Sequence, residues 1–144
     1  MTRPKISLME AYMIETMRVN GITNEEIIAG VKAKDVSGWK QINEKFDFEQ
    51  LIALAEKDLA AFEKVIHDGY AVKFVTVGGL ERLLSLKFGK EAGKDYQKQQ
   101  AGVIDLNLDE PALSELKQIL SPNWKVEDGA EGISVLLKEQ KDFS

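Results

Sequence analysis

The sequence predicts an α+β fold: a helical N-terminal half of about four helices, the last of them long, then a small mixed sheet with two helices and a C-terminal β-hairpin. Three observations carry this. Up to residue 68, apolar residues recur at three- and four-residue spacing. From residue 69, runs of alternating and β-branched residues are separated by helical patterns. Near the end, Trp124-Lys125-Val126 and Ile133 to Leu137 flank the turn-forming Glu127-Asp128-Gly129-Ala130-Glu131-Gly132.

Each element has a local reason. Ser7 can cap a helix whose Leu8, Met9, Tyr12, Met13 and Met17 share one face, and Asn20-Gly21 stops it. Thr23-Asn24-Glu25-Glu26 is a capping box opening a second helix to about Lys32, with Ile27, Ile28 and Val31 inward. Trp39, Ile42 and Phe46 then space a third helix of about two turns, with Ser37-Gly38 interrupting the stretch. Asp47 caps a long helix through His67, whose stripe is Phe48, Leu51, Ile52, Ala55, Leu59, Phe62 and Ile66. Gly69 ends it.

Tyr70 to Val77 reads as an interior strand, apolar on both faces. Gly78-Gly79 turns the chain into a helix over Leu80–Phe88, and a polar stretch from Gly89 to Gly102 reads as a loop or frayed helix. Val103 to Leu108 alternates as a half-buried strand. Asp109 caps a helix to Leu120, with Pro111 in its first turn. This divides the chain into a helical region 1–68, a small α+β region 69–139 sharing its core, and a frayed tail 140–144.

Composition narrows the function. The chain has 144 residues, 44% of them hydrophobic and 30% charged, which is globular in character. It has no cysteine, which excludes disulfides, thiolate metal sites and cysteine catalysis. No apolar run reaches the ~20 residues of a membrane span, and the first residues do not resemble a secretory signal. A cytoplasmic protein without a membrane contact is the expectation.

The net charge of −5 is unevenly placed. Residues 46–68 hold two Lys/Arg against six Asp/Glu, whereas residues 69–100 hold six against three. Basic faces on an acidic protein point to local contacts rather than general nucleic-acid affinity.

Two basic clusters are the candidate contact surfaces. The first is Lys32, Lys34, Lys40, Gln41, Asn43 and Lys45 on and before the third helix. The second is Arg82, Lys87, Lys90, Lys94, Tyr96 and Lys98, where lysines and one aromatic ring could meet phosphates and stack a base. The primary expectation is a small non-enzymatic regulatory protein that binds a protein partner through these surfaces. The alternative is a DNA-binding transcriptional regulator with a helix-turn-helix-like unit in residues 12–45, its third helix entering the major groove. A weaker alternative is a phosphate ligand at the Gly78-Gly79 turn.

Catalysis is not expected. The adjacent carboxylates Glu25-Glu26 and Asp109-Glu110 sit at helix starts, where the macrodipole accounts for them. Glu56, Glu63 and His67 line one flank of the long helix but lack a facing helix with matching ligands, so no metal and no cofactor are expected. The sequence leaves the oligomeric state open, a homodimer included.

Overall fold

The computed structural model describes residues 3–42, 45–129 and 132–138. The fold is α+β, with helices concentrated in the N-terminal half and a β-hairpin at the C-terminal end. The chain divides into two compact units, Met1–Lys73 and Phe74–Ser144.

In unit 1, the short strand β1 (Lys5–Ile6) leads into α1 (Leu8–Val19). Ser7 Oγ accepts the Glu10 amide at 3.1 Å, and Glu10 accepts the Ser7 amide at 2.8 Å. The helix α2 (Asn24–Lys32) opens on the same reciprocal device between Thr23 and Glu26. That bond from the Thr23 backbone holds the Glu26 carboxyl below its ordinary range.

Among the described residues, the third helix is not an α-helix. Ser37–Trp39 is a single 3₁₀ turn, and residues 40–42 continue as turn. Asp35 is the reason: its Oδ1 accepts from the Ser37 hydroxyl at 2.6 Å and the Ser37 amide at 3.1 Å, an alternative to helical bonding, and Gly38 follows. The turn drives Trp39 into the interior, edge-on to Phe48 at 6.0 Å. Gly30 of α2 leaves the space, since a Cβ there would lie 2.6 Å from Trp39 Cζ2.

The long helix is two helices, α3 (Glu49–Lys57) and α4 (Leu59–His67). Asp58 is extended (φ −164°, ψ 96°) and caps α4, its Oδ1 accepting the Ala61 amide at 3.1 Å. The apolar stripe runs through this break because Ala55 and Phe62 are both buried. Leu59 between them is 41% exposed.

Unit 1 closes with β2 (Ala71–Val72), parallel to β1 in the register Lys5–Ala71, Ile6–Val72. The expected eight-residue interior strand is thus two residues long. Thr76 explains the difference. It is the cap of α5 (Val77–Phe88), its Oγ1 accepting the Gly79 amide at 3.0 Å, so Gly78 and Gly79 lie in the first helical turn.

Unit 2 holds α5, then β3 (Gln97–Gln99), β4 (Gly102–Leu106), α6 (Glu110–Ile119), β5 (Trp124–Gly129) and β6 (Gly132–Leu137). The sheet order is β3-β4-β6-β5, antiparallel throughout. The expected single mixed sheet is therefore two separate sheets, one parallel and one antiparallel. The β4–β6 register shifts between Val103 and Leu106, where Asp105 adopts φ +56°. Gly132 permits this bulge, because a Cβ on it would come within 2.8 Å of Asp105 Cα. Residues 89–102 are not a frayed helix. Gly89 stops α5 in the left-handed conformation, and the Asp95 side chain closes a turn on the Glu91 amide at 2.9 Å. The expected frayed tail, 140–144, lies outside the described residues.

Candidate partner-binding groove

The break at Asp58 borders a groove in unit 1. Val31 and Lys32 of α2, Lys34, Ile52, Ala55, Glu56 and Lys57 of α3, Asp58, and Leu59 of α4 line a groove of about 360 Å³. Its apolar part is Val31, Ile52, Ala55 and Leu59. An unbroken helix would continue past residue 58 and carry Leu59 on the buried stripe instead.

The rim is charged and mostly paired. Lys34, at φ +57°, reaches Glu56 at 2.9 Å, and Lys32 reaches Glu63 at 3.2 Å. The carboxylates Glu56 and Glu63, which the sequence aligned with His67 on one flank, thus serve as counter-ions for Lys34, just beyond α2, and Lys32, its last residue. These pairs are exposed and worth little stability, but they remove the positive excess that phosphate contacts would need. Lys57 is a groove lysine with no ion pair among the described residues.

The remaining residues of the first cluster are scattered. Lys40 and Gln41 are exposed in the turn after Trp39, Lys45 is exposed, and Asn43 lies outside the described residues. Among the described residues of 12–45, the segment expected as a recognition helix is the 3₁₀ turn Ser37–Trp39 followed by turn residues.

The second cluster is also dispersed over unit 2. Arg82 is exposed on α5, Lys87 lies 3.7 Å from Glu115, and Lys90 and Lys94 belong to the turn after α5. Tyr96 is buried and donates to Glu81 at 3.3 Å, so its ring offers no stacking face. Burial, with the nearby Glu81 charge second, pushes its hydroxyl up to about 12. Lys98 also reaches Glu81, at 3.6 Å. The strand–glycine–helix turn proposed for phosphate is absent, since Gly78 and Gly79 are already helical.

Two other depressions are acidic or mixed. Asp105, Glu110 and Asp128 line one of about 330 Å³ at the β4 bulge, and Glu25, Glu63 and His67 line another, of about 350 Å³, between α2 and α4. Among the described residues, no group of three or more His, Asp or Glu side chains is placed to hold a metal ion. No helix among them is long and apolar enough to cross a membrane.

The groove was hidden from sequence reasoning by the continuity of the apolar stripe. The one signal was Asp58 three residues before Ala61, a capping residue inside an otherwise uninterrupted pattern. No family model, curated protein or solved structure matches the chain.

Proposed function

We propose that the chain is a non-enzymatic regulatory protein of the cytosol that binds a protein partner, and that unit 1 receives an apolar helical segment of that partner in the α2–α3–α4 groove. The observation that carries this reading is the exposed Leu59 beside Ile52 and Ala55, in a depression walled by helices. Grooves of this kind take one face of an amphipathic helix through anchors at three- and four-residue spacing. Lys57 favours a carboxylate on the segment's flank, because Lys32 and Lys34 already have counter-ions.

The test is capture that depends on the groove. Tagged wild-type chain, Leu59→Glu and, as a control in unit 2, Leu137→Glu are compared in native extract. A stoichiometric protein held by wild type and Leu137→Glu but lost with Leu59→Glu supports the reading. A partner indifferent to Leu59→Glu, or no partner at all, overturns it. Direct titration of the recovered partner's helical segment should then show at least about tenfold weaker binding to Leu59→Glu, as expected for a charge placed in an apolar contact.

A further inference from the structure

We propose that two copies of this chain associate by pairing their β5 edges antiparallel about Val126, joining two four-stranded sheets into one. Strand β5 ends the sheet order β3-β4-β6-β5, so one side of it pairs with no strand among the described residues. Which groups face outward follows from the ladder. The Lys138 amide donates to the Asn123 carbonyl at 2.9 Å, which makes 123 and 138 a hydrogen-bonded pair. By alternation, Lys125, Glu127 and Gly129 direct their backbone groups towards β6, and Trp124, Val126 and Asp128 direct theirs to the open edge. The Trp124 amide is already used by the Ser121 carbonyl at 3.2 Å. Among the described residues nothing else bonds the Trp124 carbonyl or the backbone groups of Val126 and Asp128, which remain for a new strand.

The sequence of this edge is complementary to itself. In a two-fold pairing centred on Val126, each Lys125 lies directly opposite Glu127 of the second copy, and Val126 lies opposite Val126. The backbone supplies about four hydrogen bonds, two between the Val126 residues and one from each Asp128 amide to the opposite Trp124 carbonyl. Asp128 of the second copy also comes opposite Trp124, beside the cleft lined by Lys117 and Lys138, to which no carboxylate of the described residues contributes. Both Lys125 and Glu127 are exposed, and within one copy they sit 3.5 Å apart on the same face. They can exchange that contact for the cross-strand ones.

Charge separates this register from its two neighbours. Centring the pair on Lys125 sets lysine against lysine, and centring it on Glu127 sets glutamate against glutamate, both destabilising. The charge pattern is therefore specific for a second copy rather than for an arbitrary extended peptide. Edge pairing without face packing buries less than the about 1,200 Å² of stable complexes, so the association is concentration-dependent.

Sedimentation equilibrium from about 10 µM to about 1 mM tests it, a range that reads dissociation constants of weak complexes. Wild type should pass from monomer towards dimer. Lys125→Glu alone and Glu127→Lys alone each set like charges opposite one another twice, and each should weaken association about tenfold or more. An equal mixture of these two variants restores opposite charges at both positions and should associate again, which a folding defect could not produce. A wild type that stays monomeric throughout overturns the proposal. So does a dimer that Lys125→Glu leaves intact, or a mixture no more associated than its components.

Discussion

Among the described residues, each unit buries one non-aromatic polar side chain, Glu15 in unit 1 and Ser121 in unit 2, and the two are wired differently. Glu15 takes the Tyr70 hydroxyl at 2.7 Å and Arg18 Nη1 at 3.1 Å, while Arg18 also donates to the Ile66 carbonyl at 2.7 Å. Ser121 accepts the Val75 amide at 3.0 Å and donates to Asn123, and Trp124 Nε1 returns a bond to the Val75 carbonyl at 2.9 Å. One anchor is ionic and the other neutral, yet both hold the same stretch of chain, Tyr70 in unit 1 and Val75 in unit 2. Apolar packing is non-directional. These bonds, spanning 55 and 46 residues of sequence, fix where that stretch lies in each unit.

The contrast can be broken by measurement. The largest effect should come from Glu15→Ala, which strips a counter-charge from Arg18 and a partner from the fully buried Tyr70 hydroxyl. A loss of about 3 kcal/mol is expected in urea unfolding, as for other buried pairs cut on one side. Ser121→Ala should cost less, about 1–2 kcal/mol, because only neutral hydrogen bonds are lost. Equal or reversed losses would mean that charge does not distinguish the two anchors.

The smallest effect at neutral pH belongs to Tyr96 and sharpens the picture of unit 2. Its hydroxyl rises from 10.0 in the free residue to about 12 in the fold. Between those values the folded chain keeps a proton that the unfolded chain has lost. The contribution is therefore complete below about pH 10 and is lost as the pH climbs towards 12. Unfolding followed from pH 9 to pH 11.5 should show that decline, and Tyr96→Phe should flatten it.

The caps were the most legible part of the fold. Ser7, Thr23 and Asp109 start their helices as their types require, because a cap needs only a hydroxyl or carboxylate and the next three amides. The α+β class and the terminal hairpin were legible for similarly local reasons. The errors came where one residue type serves two purposes. Thr76 is β-branched and reads as strand, yet it caps α5. Asp58 caps α4 inside a stripe whose periodicity hides the break. Trp39 and Ile42 have helical spacing, but Asp35 and Ser37 satisfy each other first.

The candidate site was less legible than the fold. The sequence placed contacts on lysines, whereas Lys32, Lys34, Lys87 and Lys98 are tied to carboxylates distant in the chain. Long-range pairing of this kind leaves no periodic trace. Tyr96 reads as a loop aromatic because its stretch is polar, yet it is buried, with its hydroxyl donating to Glu81 of the preceding helix.

Trp39 and Trp124 are the chain's two tryptophans, and both are buried, one in each unit. Each is therefore a built-in optical reporter of its own surroundings. Trp39→Phe leaves emission from unit 2 alone, and Trp124→Phe leaves it from unit 1. A denaturation curve read from one indole at a time measures whether this chain melts once or twice.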